Sequence, residues 1–243
     1  MPSETHIVKS YTEEIAQLTS LIAEMGGYAQ AAVSDAMLAL RRRDSELAAR
    51  VVEGDQKIDQ LESQVSVLVV RLLALRQPMA NDLRTIVASL KIASDLERVG
   101  DYAKNIAKRA LILNKSPVVE PIAGIYNLSR MVEVMLSEVL DAYFEENAEI
   151  ALKLRERDQE VDLAHTGLFR ETVTYMMEDP RKITACTHLV FIAKNLERIG
   201  DHATNIAESI VFQVSGERPV DRHFRESPSS CLLYTSPSPR DWL

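Results

Sequence analysis

Apolar residues recur every three or four positions through most of the chain, in unusually long stretches. Between residues 11 and 40, Ile15, Leu18, Ile22, Met25, Ala29, Ala32 and Ala36 mark the seam of one amphipathic helix. Gly26-Gly27 falls inside that seam and predicts a loosening or a bend. "RRRD" (41–44) closes the segment with cations at a helix C-terminus, and Asp44 can cap a second helix reaching about Gln77. Pro78 predicts a break, after which a third helix runs from about Ala80 to Leu113. "NKSPVVEP" (114–121) carries two prolines in eight residues and is the one obvious linker.

The pattern then returns. A helix from about Ile122 to Glu146 is followed by Asn147 as a cap and a helix to about Glu178. Asp179-Pro180, a capping residue with proline at the first helical position, opens a last helix to about Gln213. The prediction is an all-α fold: two tandem three-helix bundles, six long antiparallel helices in a pseudo-two-fold repeat. Residues 4–113 form the first bundle, 114–121 the linker and 122–213 the second bundle. Beyond about Ser215 the periodicity ends. Residues 216–243, with "SPSSCLLYTSPSPRDWL", are expected to be a disordered tail or sequence of read-through or cloning origin, and are set aside from the fold.

Composition agrees with helices. Only 8 glycines, 9 prolines and 5% aromatics in 243 residues argue against short strands and tight turns. The formal net charge of −8 repels phosphate backbones, so no nucleic-acid partner is expected. Two cysteines, Cys186 and Cys231, have no metal-type spacing and suit a reducing compartment. Residues 1–10 lack a basic start followed by an apolar core, so no signal peptide is expected. The most apolar run, "VSVLVVRLLAL" (65–75), is too short to span a bilayer and carries Arg71. A cytoplasmic protein is expected, reaching a membrane only indirectly through partners.

One phrase is repeated across the halves: "LERVGDYAKNIA" (96–107) and "LERIGDHATNIA" (196–207). Glu97 and Asp101 stand four apart on one helix face with Asn105 a turn further; Glu197, Asp201 and Asn205 repeat this. Like charges at that spacing cost a few tenths of a kcal/mol. Gly100 and Gly200, inside the helices, cost about 1 kcal/mol each relative to alanine. Glycine beside the acids lets another backbone or a ligand come close. The second helix of each set adds its own pair, Asp55 and Asp59 in "DQKID", Asp158 and Asp162 in "DQEVD".

In an antiparallel hairpin, residues at equal depth are symmetric about the turn. Asp59 and Glu97, like Asp55 and Asp101, are symmetric about position 78, where Pro78 stands. Asp162 and Glu197, like Asp158 and Asp201, are symmetric about the junction of Asp179 and Pro180. Four carboxylates and an amide brought level, with no thiolate nearby, make an oxygen-rich site suited to Mg²⁺, Mn²⁺, Ca²⁺ or iron. The competing reading is a solvated helix face with Arg98–Asp101 and Arg198–Asp201 ion pairs. The other candidates read as structural: His202 as a surface or packed histidine, His188 and Cys186 as pointing to different faces. "RRR" (41–43) reads as a helix end that could meet a partner's acids or lipid headgroups. The methionines read as core.

These residues resemble the PhoU family of phosphate-specific transport system accessory proteins. The resemblance rests on the two "LER(V/I)GD" phrases and the acidic stripes, and covers about residues 4–213. It implies a cytoplasmic bacterial regulator, usually a homodimer, that binds divalent or trivalent metal ions (Fe, Mn, Mg or Zn), often as clusters. It implies that the metal lies on the stripes matching Glu97, Asp101, Glu197 and Asp201, with Asp55, Asp59, Asp158 and Asp162 matching the acids of the second helices. The implied partners are the ATP-binding subunit of a phosphate ABC transporter and a phosphate-sensing histidine kinase, with the starvation response held off when phosphate is plentiful. Asp95 against Asn195 makes the halves chemically unequal. A carboxylate-bridged di-iron enzyme is the rival reading. It needs Glu-x-x-His ligands, and the residues three after Glu97 and Glu197 are glycines. No nucleophile–base pair or phosphate loop is evident, so no enzyme is expected. A purely structural helical adaptor is the third reading.

Overall fold

A computed structural model describes residues 3–119 and 121–217, with side chains from residue 11 onward. Among these residues there are six long helices and no strand: α1 (Ser3–Arg42), α2 (Ser45–Arg76), α3 (Asn81–Leu113), α4 (Ile122–Phe144), α5 (Ala148–Glu178) and α6 (Ile183–Ser215). A single 3₁₀ turn, Pro180–Lys182, precedes α6. The all-α expectation holds, and no helix is long and apolar enough to cross a membrane among the described residues. The tail beyond residue 217, with Cys231, lies outside the described residues.

The caps sit where the sequence places them. Asp44 accepts a hydrogen bond from the Leu47 amide at 2.9 Å, and Asn147 accepts from Glu149 and Ile150 at 3.1 and 3.2 Å. Asp179 accepts from the Arg181 amide at 3.0 Å, so proline opens the 3₁₀ turn rather than α6 itself. Helices α1, α2 and α3 pack together, as do α4, α5 and α6. Helices α3 and α6 bury residues on more than one face, among them Ala88, Ala103 and Ala110 on α3 and Ala203 on α6. Those two helices pack against each other as extensively as the helices within each half, and one continuous apolar core runs through both halves among the described residues. Asp95 meets His202 and Arg109 meets Phe191, so α3 and α6 run antiparallel. Tyr102 and His202, equivalent positions of the repeat, pack with ring centroids 5.6 Å apart at the seam.

Three expectations are corrected. Helix α1 runs unbroken through Gly26-Gly27. A Cβ at Gly26 would lie 2.6 Å from Leu140 Cδ2, so this glycine admits a side chain of α4 rather than interrupting its own helix. Met25 and Met135 are core, but Met79 and Met177 at the two hairpin tips are each 80% exposed, because the chain reverses there beyond the reach of the bundle. The arginine run does more than end a helix: Arg43, at φ 56°, donates to the Asn114 and Ser116 carbonyls at 2.7 Å and ties the α1–α2 turn to the linker.

Candidate functional site

In the first hairpin α2 and α3 bring their acids together. Asp55 is buried, Glu97 and Asp101 are partly covered, and Asp59 lies at the rim. Gly100 makes the approach possible: a Cβ there would lie 2.7 Å from Ile58 Cδ1 and 3.5 Å from Asp55 Oδ1. The glycine therefore serves helix–helix contact beside the acids. Burial holds the Glu97 carboxyl above its ordinary range; Arg98 opposes this, and Asp101, Asp59 and Asp55 add to it. Desolvation also raises Asp59, reinforced by Asp55. The acids face one another across the hairpin, as their level placement predicts.

The chain supplies its own cation here. The Lys104 ammonium binds Asp55 and lies 3.2 Å from Asp101 Oδ1, and the bond to Asp55 is the main reason its pKa is raised. Arg98 lies 3.5 Å from Glu97 and 3.6 Å from Asp101.

The second hairpin repeats the acids with different company. Asp158 is buried, its Oδ1 3.7 Å from where a Cβ on Gly200 would stand; the nearest such contact is Val161 Cγ1 at 3.5 Å. Lys194 Nζ lies 2.6 Å from the Glu197 carboxylate. Thr204 occupies the place of Lys104, and its buried Oγ1 has no hydrogen-bond partner. His165 occupies the place of Glu62. Burial lowers its pKa most; Lys194 lowers it too, while Glu197, Asp162 and Asp201 pull the other way. His165 therefore belongs to this cluster.

Asn105 and Asn205 do not join the acids closely. Both are exposed, and Asn205 Nδ2 reaches Asp95 Oδ1 at 3.4 Å, toward α3 instead. At eight residues beyond Glu197 the helical phase has drifted by about 80°. His202 Nδ1 pairs with Asp95 Oδ1 at 2.7 Å between the halves. Arg198 lies over the Tyr102 ring at 5.7 Å. Cys186 is buried, while His188 lies 3.4 Å from Arg109 on the seam. Lys104, Glu62 and His165 were missed from the sequence. Each was within reach of the helical period: Lys104 is three beyond Asp101, and Glu62 and His165 are three beyond Asp59 and Asp162.

Among the described residues, no three carboxylate, imidazole or thiolate groups converge tightly enough to enclose a metal ion as they stand. The carboxylates are instead drawn to Lys104, Arg98 and Lys194.

A repeated three-helix unit with mutually facing carboxylates on its second and third helices defines a class of all-helical, doubled bundle proteins. The PhoU domain model matches this chain twice, over residues 22–110 and 125–210. A phosphate-specific transport system accessory protein PhoU homolog from Caulobacter vibrioides is 53% identical over 213 residues, covering 87% of this chain and 93% of its own length. The homolog from Rhizobium meliloti is 47% identical over 231 residues, covering 95% of this chain and 98% of its own length. The crystal structure of PhoU from Pseudomonas aeruginosa superposes with a TM-score of 0.83 at 39% identity, covering 85% of this chain and 100% of that one. The chain belongs to the PhoU family.

Proposed function

We propose that this chain is a metal-binding cytoplasmic regulator of phosphate uptake and phosphate-starvation signalling. It acts as a homodimer that links the ATP-binding subunit of a phosphate ABC transporter to a phosphate-sensing histidine kinase, and it keeps the starvation response off when phosphate is ample. The observation that carries this reading is the match, over nearly the whole length of relatives named as phosphate-transport accessory proteins, of both copies of the repeated unit. No catalytic role is assigned.

The donor set fits a hard cation. The first cluster offers Asp55, Asp59, Glu97 and Asp101; the second offers Asp158, Asp162, Glu197 and Asp201, with His165 and the partnerless Thr204 hydroxyl in addition. Asn105 and Asn205 stand further out. A bound cation supplies positive charge that offsets the burial, and the added repulsion between acids, that hold Glu97 and Asp59 above their ordinary range. The carboxylates of each hairpin then cross-link α2 to α3 and α5 to α6, which stiffens the surface that partners read. Binding requires Lys104 or Lys194 to leave the carboxylate that it now holds.

The test is a deletion strain complemented with the full chain, or with the chain carrying Glu197→Gln and Asp201→Asn, assayed for secreted phosphatase in phosphate-rich medium. Deletion should raise phosphatase, and the full chain should restore repression. Phosphatase that stays at its repressed level on deletion would show that the chain does not restrain this response.

A further inference from the structure

Three cations stand over three aromatic rings along the seam of α3 and α6. Lys91 lies 6.0 Å from the Phe212 ring, Arg198 5.7 Å from Tyr102 and Arg109 4.0 Å from Phe191. Among the described residues none of these three cations has a carboxylate within ion-pair distance. Three acids share the seam: Asp201 lines the same hollow as Arg198, and Asp95 and Glu208 are bonded to other partners. Asp95 Oδ1 is 2.7 Å from His202, and Glu208 Oε1 is 2.7 Å from Arg155 of α5. A protein with formal net charge −8 thus sets three cations along one seam, beside Asp95, Asp201 and Glu208.

The face also has relief and apolar anchors. Two hollows of about 300 and 380 Å³ lie along it and meet at Asn205 and Glu208. Phe191 is 47% exposed and Ile112 is 45% exposed. Arginine and aromatic side chains dominate binding energy at protein interfaces. Ring contacts hold these cations in place, so less side-chain freedom is lost when a carboxylate arrives. From Lys91 to Arg109 the seam is roughly 27 Å long, about five helical turns. Three cations at that spacing on an acidic protein suit a few carboxylates rather than a nucleic-acid backbone.

We propose that the α3–α6 seam is the docking surface for an acidic segment of a partner protein, whose carboxylates meet Lys91, Arg198 and Arg109. The identity of that partner rests on the regulatory reading above; the surface itself rests on the seam. The full-length chain is compared with the triple variant Lys91→Glu/Arg109→Glu/Arg198→Glu and with the milder Lys91→Gln/Arg109→Gln/Arg198→Gln, each checked for helicity. The probes are the transporter's ATP-binding subunit, the cytoplasmic region of the kinase and a 20-residue polyglutamate. Binding of either protein should weaken at least tenfold in the charge-reversed variant, less in the neutral one, and fall with added salt. Binding unchanged in both variants overturns the surface and leaves the regulatory reading standing. Binding of neither protein removes the regulatory reading, and polyglutamate then decides. Slowed amide exchange on α3 and α6 with polyglutamate, lost in the triple variant, supports the surface, and its absence overturns it. Self-association abolished by the triple variant, or equal binding of a 30-nucleotide RNA, also overturns the assignment.

Discussion

Asp55 and Asp158 hold the same place in two copies of one hairpin, yet their neighbourhoods differ. Asp55 has a lysine from the facing helix as its counter-ion, with Glu62 two turns on. At the same places the second copy has Thr204 and His165, and its lysine, Lys194, sits on the other side of Glu197. Backbone and acids are shared, while the compensating charge is not. Repetition thus preserves where carboxylates meet and leaves free how each group is neutralised. The first cluster is bridged by an internal cation. The second has Lys194 on Glu197 alone and adds the His165 imidazole and the Thr204 hydroxyl as further donors, which suits it better to an external one.

Removing Lys104 should give the largest effect. Lys104→Met leaves buried Asp55 uncompensated and should cost about 2 kcal/mol, less than for a fully buried pair because the lysine is partly exposed. Thr204→Met, which removes no ion pair, should cost well under half as much. The pKa of Lys104 is raised, so its contribution is complete below the unfolded value of 10.5 and is lost as pH rises through the higher folded value. Urea midpoints should therefore separate wild type and Lys104→Met at pH 7 and converge only in strong base. Equal midpoints at pH 7 would remove the internal-cation account.

The two glycines sharpen the comparison. Alanine at Gly200 meets only ordinary contacts and should stabilise by about 0.5–1 kcal/mol through helix propensity. At Gly100 the added methyl collides with buried Ile58, so thermal denaturation should show alanine there less stable than its counterpart by about 1–2 kcal/mol. If both alanines stabilise alike, the closer approach in the first hairpin carries no energetic consequence.

Most of the framework was legible because helix caps and hairpin symmetry are local. Asp44, Asn147 and Asp179 marked helix starts, and Pro78 with the level acids set the hairpins before any packing was known. Gly26 was misread because its reason lies on another helix, at Leu140 of α4. The union of the halves was missed for the same cause. Asp95, Tyr102 and Arg109 read as surface residues of α3 until α6 brings His202, Arg198 and Phe191 against them. Within the clusters the acids were found by their spacing. Lys104 was passed over because a lysine three residues from an acid reads first as a surface pair, and His165 because its neighbours Glu197 and Lys194 come from the facing helix.

The smallest effect concerns Glu97 and Glu197. Burial raises the Glu97 carboxyl, so its charged form opposes folding; stability falls as pH rises from 4.5 through the folded pKa. Glu97→Gln should stabilise by a few tenths of a kcal/mol at pH 7, with the gain vanishing at acid pH. Glu197→Gln loses the Lys194 pair and should destabilise by a similar amount. Opposite signs in a pair of pH-resolved denaturation curves would bear out the difference in neutralisation, and equal signs would argue against it.

Metal content of the purified chain tests the central claim most directly. Elemental analysis after equilibration with Mn²⁺ or Fe²⁺, and titration calorimetry on the same samples, should find metal in both hairpins, held more tightly by the second. Glu97→Gln with Asp101→Asn should remove roughly half of the bound metal and spare the tighter class. A metal content unchanged by that double substitution, or no uptake by the unaltered chain, would contradict the account.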